Sequence, residues 1–297
     1  MKKSIFLYFE QILFKPKNLI DKIFVYLLSP FSFLYCILTF LNSYKKHLFR
    51  YKYPLKIIGV GNLILGGSGK TPLIIALAKR EKNIAVVLRG YGRVSKGVLV
   101  ISDRGKILTS VLDSGDEAML YAKKIQNCSV IVSENRYFGI LKAQELGAET
   151  IFLDDSYRQH QIEKFKEYII ISKTENNFCI PAGGYREKLW FFKKNILLIE
   201  EGKDFFRKIY IDSPTENMVL ITAISKSYRL NRYIPKDIPK YIFPDHYSFT
   251  ETEIERIYKK EKATSILTTE KDFVKMDSFQ FNFSIIKLEI KLSSNFN

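Results

Sequence analysis

The hydrophobic positions of this chain fall into two regimes. From Ile23 to Tyr44 no charged residue occurs, and Phe, Leu, Ile and Tyr crowd the stretch IFVYLLSPFSFLYCILTFLNSY. About 20 apolar residues are enough for a helix to cross a bilayer core. After Tyr53-Pro54 the pattern changes to short β-rich runs at Lys56–Val60, Ile84–Leu88, Val130–Val132, Thr150–Leu153 and Tyr168–Ile171. Between them lie LIIALAKR, GDEAMLYAKKI and NRYFGILKAQEL, each with apolar residues at helical spacing. Strands alternating with helices predict βαβ units and a mostly parallel sheet. A looser alternation follows Glu187 (NILLIEE, MVLITAI, SILTTEK, FSIIKLEI), and Ala182-Gly183-Gly184 reads as the turn between the halves. The expected organisation is an N-terminal hydrophobic segment over 1–50, a larger α/β domain over 51–185 and a smaller α/β domain over 186–297. The closing SSNFN is expected to fray, and no internal repeat or low-complexity tract interrupts the pattern.

The flanks of the apolar stretch decide how it is read. Lys2, Lys3, Lys15, Lys17 and Lys22 precede it, and Lys45, Lys46 and Arg50 follow it. Basic residues stay cytoplasmic, and here both ends carry them. Pro30, with Ser29 and Ser32 nearby, is expected to kink a helix near its first third. A helix lying in the interface, or dipping in and out, fits this symmetry better than a straight span. A secretory signal fits poorly, because the basic region is long and no small-x-small cleavage site follows. The competing reading is a buried amphipathic helix pair in a soluble domain.

Composition adds a strong basic bias. Lys and Arg number 47 against 31 acids, a net charge of +16 over 297 residues. Such a balance favours polyanionic partners: nucleotides, nucleic acid or anionic lipid. The basic residues are scattered and no base-stacking motif accompanies the 23 Phe and 18 Tyr, so a nucleic-acid binder is set aside. Cys36, Cys128 and Cys179 are far apart, which argues against a metal knuckle and for reduced thiols.

The sharpest chemical signal is KIIGVGNLILGGSGKTPLIIALAK, in which an apolar strand runs into Gly66-Gly67-Ser68-Gly69-Lys70-Thr71 and a helix follows. Backbone N–H groups of such a loop cradle phosphates, helped by the helix N-terminus. Lys70 is placed to reach the β- and γ-phosphates and Thr71 to ligate Mg²⁺, while Pro72 is tolerated in the first turn. Ile64 stands where the usual phosphate-loop pattern has its first Gly. The strand ending at Leu153 runs into Asp154-Asp155, where a Mg²⁺-positioning acid belongs. The fold class expected is therefore a P-loop NTPase-like α/β fold with a second, smaller α/β domain and an N-terminal membrane-associated helix. One competing class on the same loop is a GTPase or ATPase switch or metallochaperone at the membrane. Thr269-Glu270-Lys271-Asp272 lacks the spacing of its guanine-reading motif.

Several ordered stretches together resemble the tetraacyldisaccharide 4′-kinases of lipid A synthesis: VGNLILGGSGKTP, LRGYGR, GDEAMLYAKK, FLDDSYRQH, PAGGYRE, FPDHYSFT and LTTEKDFVKM. They run from about Ile57 to Met276, and in that family the phosphate loop lacks the usual first Gly. The resemblance implies transfer of the ATP γ-phosphate to the 4′-hydroxyl of a tetraacyldisaccharide 1-phosphate, giving lipid IVA, with Mg²⁺. It implies two α/β domains with a cleft, at the cytoplasmic face of the inner membrane, among anionic lipids. A monomer is the expected state.

By the same resemblance Lys70 and Thr71 serve the phosphates and metal, and Asp154 and Asp155 sit at the metal and γ-phosphate. Asp116 and His246 take the sugar proton, while Tyr91, Arg136, Arg186 and Glu187 line the cleft. The family more often has one residue fewer between the Asp pair and the His of FLDDSYRQH, so His160 is displaced by one position here. Chemistry agrees with the base assignment: a sugar hydroxyl is a poor nucleophile, and an Asp that orients a His is a common way to activate one.

Overall fold

The computed structural model describes residues 8–9, 11–294 and 296. Lys2 and Lys3 of the basic flank, and Asn295 and Asn297 of the C-terminal stretch, lie outside the described residues. A large, mostly parallel sheet and a second, five-stranded sheet carry the fold, with an apolar helix near the N-terminus. The chain divides into two compact units, residues 1–70 with 150–204 and residues 71–149 with 205–297.

In the first unit, helix α1 (Leu19–Leu48) opens on a capping box: Asn18 accepts from the Asp21 backbone N–H, and Asp21 accepts from that of Asn18. Lys45 and Lys46 in the last turn complement the helix dipole. The helix runs through Pro30 without a break. Its packing is inverted. Asp21, Val25, Ser32 and Ser43 are buried along one stripe, whereas Leu27, Phe31, Phe33, Leu38 and Leu41 are more than half exposed. Only 11% of its most apolar 18-residue window is buried, at a mean hydropathy of 2.0, which makes it long and apolar enough to cross a membrane. Its polar stripe faces the protein: Ser32 Oγ donates to Cys179 O (2.8 Å) and accepts from Ala182 N–H (2.7 Å), and Tyr35 donates to Arg186 O.

Strands β1 (Lys56–Asn62), β6 (Thr150–Asp154), β7 (Lys166–Ile171) and β8 (Ile196–Glu200) of this unit lie in the order β6-β1-β7-β8, all parallel. The near-complete burial of β1 and β6 matches their unbroken apolar sequences. Val60 pairs with Asp154, so the phosphate loop after Asn62 and the acids after Leu153 leave the same end of adjacent strands.

In the second unit, β2 (Ile84–Leu88), β3 (Leu99–Asp103), β4 (Lys106–Ile107) and β5 (Ser129–Val132) run in the order β4-β3-β5-β2, with β3 antiparallel to both neighbours. Helix α2 (Lys70–Ala78) follows the phosphate loop, α3 (Val111–Ser114) and α4 (Asp116–Lys124) precede β5, and α5 (Arg136–Glu145) follows it. The remaining strands β9 (Phe205–Asp212), β10 (Met218–Thr222), β11 (Lys240–Ile242), β12 (Ser265–Thr269) and β13 (Phe283–Leu292) form the order β11-β10-β12-β13-β9. Only β9 is antiparallel there. Helix α6 (Glu251–Lys260) covers this sheet with Ile254 and Ile257, and α7 (Glu270–Phe273) begins as β12 ends. Strands β3, β4, β9 and β11 were not expected from the hydrophobic pattern.

Candidate active site

The phosphate loop is held by its own strand and by the PAGGYRE segment. Asn62 Nδ2 donates to Ile64 O (2.9 Å) and reaches Gly66 O (3.4 Å). Leu65 N–H donates to Gly184 O and Arg186 N–H to Leu63 O, both at 2.8 Å. Gly66 and Gly69 sit at φ of 98° and 85°, where a Cβ is disfavoured, which is why this turn is written in glycine. Beyond Gly67 a Cβ would meet nothing within 4 Å, leaving open space at the tip.

Lys70, the first residue of α2, turns its Nζ toward Asn62 Oδ1 (3.3 Å) and Asp155 Oδ1 (3.4 Å). Arg186 grips the Asp155 carboxylate with both terminal nitrogens (3.2 and 3.0 Å) and donates to Asn62 Oδ1 at 2.7 Å. Burial alone would raise the Asp155 pKa, but Lys70 and Arg186 outweigh it and hold the carboxyl down at about 2. Asp155 is thus ionised at any working pH. Its backbone lies in the left-handed region (φ 48°), one that Asp tolerates better than most residues. Asp154 is buried at the end of β6, with Oδ1 accepting from Asp155 N–H (2.7 Å).

Two carboxylates, the Asn62 amide oxygen and the Thr71 hydroxyl that follows Lys70 in the chain are hard oxygen donors, the set Mg²⁺ prefers. Among the described residues no group of three or more His, Cys, Asp or Glu could hold a metal by itself. That suits an ion bound by one or two carboxylates and substrate phosphates. The residues present fit Mg²⁺.

In the second unit, Asp116 opens α4 at 4% exposure. Gly115 makes that entry possible: at φ 80°, a Cβ there would stand 2.8 Å from Tyr91 O. Both Asp116 oxygens face His246 Nδ1, at 3.2 and 3.0 Å. Nδ1–H is therefore the donor to Asp116, and Nε2 carries the lone pair available as a base. His246 lies on a turn after β11, at φ 60°, with the Tyr91 ring 5.2 Å from its own. The hydrogen bond that His246 donates to the Asp116 carboxylate raises the His246 pKa against burial and the Lys271 charge. For Asp116, burial opposes ionisation, but His246 and Lys271 outweigh it and lower the pKa. Lys271 Nζ stands 3.7 Å from Asp116 Oδ2. A cavity of about 190 Å³ lies against the pair, lined by Tyr91, Gly92, Asp116, His246, Ser248 and Lys275, among others.

The other residues singled out in the sequence take structural contacts. Arg136 is buried and donates to Ser133 O (2.6 Å) at the turn into α5. Glu187 accepts from His160 Nε2 (2.7 Å) and lies within 3.3 Å of Ser43 Oγ on α1. His160 is 2% exposed, so its place is in this buried contact with Glu187. Asn62 and Lys271 were not singled out. Asn62 carries the signal of a polar residue ending an apolar strand, and Lys271 that of a cation one residue before the Asp of LTTEKD.

Behind the Asp155 turn lies a buried charge cluster that the sequence did not announce. Lys164 Nζ donates to Ser156 O (2.7 Å) and Glu167 Oε1 (2.6 Å), and Lys193 Nζ meets Glu167 Oε2 at 2.9 Å. Ser156 Oγ donates to the same Glu167 at 2.7 Å. All three charged side chains are less than a tenth exposed.

Residues 24–231 and 210–297 match the family model for Tetraacyldisaccharide-1-P 4′-kinase. The chain is 46% identical to the tetraacyldisaccharide 4′-kinase of Aliarcobacter butzleri, over 99% of this chain and 96% of that protein. It is 42% identical to that of Helicobacter acinonychis, over 96% and 91%. Among solved structures, the "apo" form LpxK from Aquifex aeolicus in complex with ATP superposes with a TM-score of 0.73 at 27% identity, covering 91% of this chain and 96% of that one. With the family model spanning nearly all of the sequence, and these relatives aligned almost end to end, the chain belongs to the tetraacyldisaccharide-1-P 4′-kinase family.

Proposed function

We infer that the protein transfers the γ-phosphate of ATP to the 4′-hydroxyl of a tetraacyldisaccharide 1-phosphate, yielding lipid IVA, at the cytoplasmic face of the inner membrane. The observation that carries this reading is the Asp116–His246 pair facing a cavity in a chain of this kinase family. His246 Nε2 takes the proton of the 4′-hydroxyl as the oxygen attacks the γ-phosphorus. Asp116 holds the Nδ1 proton and stabilises the imidazolium while remaining ionised itself. Lys70 and the loop N–H groups carry the charge of the phosphate chain as ADP departs. Arg186 and Asn62 keep Lys70 and Asp155 in register. Thr71, Asp154 and Asp155 would hold Mg²⁺, which neutralises phosphate charge when bound. Tyr91 offers an exposed ring beside His246 on which a sugar can rest.

The inverted helix α1, polar toward the protein and apolar outward, supports a membrane-resident substrate. A switch or metallochaperone reading is not favoured, since the family is one of kinases. The direct test is incubation of the purified protein with ATP, Mg²⁺ and a lipid A disaccharide monophosphate, read by mass spectrometry. A product heavier by one phosphate is expected. ATP consumption with no phosphorylated lipid would overturn the assignment.

A further inference from the structure

The loop from Lys188 to Lys194 reads Lys-Leu-Trp-Phe-Phe-Lys-Lys, and its apolar residues are not used to build a core. Phe191 is 84% exposed and Leu189 44%. What the loop does touch is the C-terminal half of α1. The Phe40 ring lies 5.2 Å from Trp190, 6.2 Å from Phe191 and 6.0 Å from Phe192, and Phe192 also meets Tyr44 and His47. Loop and helix thus present one aromatic surface, continued along α1 by Leu41 and Leu48, both more than half exposed.

Beside this surface is a cavity of about 130 Å³ whose lining is strongly basic. His47, Arg50 and Lys194 contribute from the helix end and the loop, with His160, Lys164 and Lys193 behind them. The acids on its wall are Glu163 and Glu167. Glu167 is already shared by two lysines, and Glu163 lies 3.9 Å from Arg50 and 3.6 Å from Lys52. The unbalanced charge acts on His47, whose proton affinity is lowered by burial and by Arg50, Lys193, His160 and Lys194. His160, 98% buried, commits Nε2 to Glu187, and its Nδ1 has no hydrogen-bond partner among the described residues.

An exposed aromatic prong flanked by lysines, next to a basic cavity, is complementary to an anionic lipid surface. We propose that the 188–194 loop is a second membrane-insertion element, with Phe191 and Leu189 entering the acyl layer and the His47–Arg50–Lys194 cavity taking the phosphate of an anionic phospholipid. This rests on the membrane reading of α1 and adds a second, loop-borne contact with its own lipid preference.

The chain's single tryptophan, Trp190, sits inside the loop and reports on it directly. The full-length protein is mixed with vesicles of phosphatidylglycerol and phosphatidylcholine whose acyl chains carry bromine, a short-range quencher. Co-flotation of the protein tests the membrane reading, and quenching of Trp190 tests the loop. Strong quenching is expected, falling as phosphatidylglycerol is replaced by phosphatidylcholine. Phe191→Ser should weaken vesicle partitioning by roughly tenfold, the scale of one buried aromatic ring, while turnover on detergent-dispersed substrate is unchanged. Arg50→Gln with Lys194→Gln should abolish the phosphatidylglycerol preference and leave binding to neutral vesicles intact. Flotation without quenching overturns the loop and keeps the helix; no flotation overturns both. Equal protection of Trp190 by inorganic phosphate alone would make the cavity a soluble-anion site and also overturn the proposal. So would a Phe191→Ser protein altered in sedimentation but not in flotation, the mark of a contact between copies of the chain.

Discussion

If Asp116 and His246 act as one unit, removing both should cost hardly more than removing the histidine. The geometry selects the substitutions. His246 lies at φ 60°, so alanine would add backbone strain of about 1–2 kcal/mol, whereas asparagine tolerates that conformation and cannot act as a base. A positioned general base contributes about 10²–10⁴-fold, and His246→Asn should lose that factor in kcat. Asp116 acts through a charge-assisted hydrogen bond at 3.0 Å to a largely buried ring. Such a bond is worth about 1.5–3 kcal/mol, so Asp116→Asn should lose about 10- to 150-fold at 1.36 kcal/mol per tenfold. The double variant should match His246→Asn within a factor of a few, because a misoriented imidazole is worth little once the imidazole is gone. The assay is kcat/KM for the lipid substrate across the four proteins, with ATP affinity measured separately and expected to be constant. A double variant near the product of the two losses, about 10³–10⁶-fold by these estimates, would refute the shared role and leave His246 as a positioning group.

Lys70→Ala should keep its fold, shown by an unchanged melting transition, and lose about 10²–10³-fold in turnover, as for other removed charge-stabilising donors; near-normal turnover would remove Lys70 from the phosphate site. The pH profile of kcat/KM should rise as His246 deprotonates, and two variants should move that limb in opposite directions. Asp116→Asn removes the carboxylate that raises the His246 pKa and shifts the limb to lower pH, whereas Lys271→Met removes a cation that lowers it and shifts the limb to higher pH; movement in the same direction would contradict the assigned neighbours. Glu167→Leu strands two buried ammonium groups and should cost about 3–5 kcal/mol in urea unfolding. Replacing Lys164 and Lys193 by Met in the same protein should recover most of that stability, and a triple variant as unstable as the single would show that packing, not charge, holds the cluster.

The phosphate loop was legible because its chemistry is local: glycines, lysine and threonine are consecutive, and the strand before them is apolar between Lys56 and Asn62. Strands Ile84–Leu88 and Thr150–Asp154 were legible for the same reason, since burial on both faces writes continuous apolar runs. Strand β9 was not, because FFRKIYID mixes charged, aromatic and aliphatic residues without a clean period of two on a half-exposed edge. Strand β4 is two exposed residues long and owes its state to β3. The Asp116–His246 contact spans 130 residues, and nothing in either local sequence encodes the other. Its pairing came from family resemblance, and its geometry from the fold. The Lys164–Glu167–Lys193 cluster was invisible because charged residues at such spacing normally describe a solvated face.

Besides its apolar and aromatic contacts, helix α1 is tied to the rest of the protein by hydroxyls, and those hydroxyls end on the segment that carries Arg186. Ser32 is bonded at both Cys179 and Ala182, Tyr35 at the carbonyl of Arg186, and Ser43 beside Glu187. The helix is therefore no detachable anchor. Cutting it away to obtain a soluble enzyme would strip the partners from the stretch whose arginine fixes Asp155 and Asn62. If a bilayer grips this helix as proposed, vesicle binding and ATP binding should be linked through the stretch from Cys179 to Glu187.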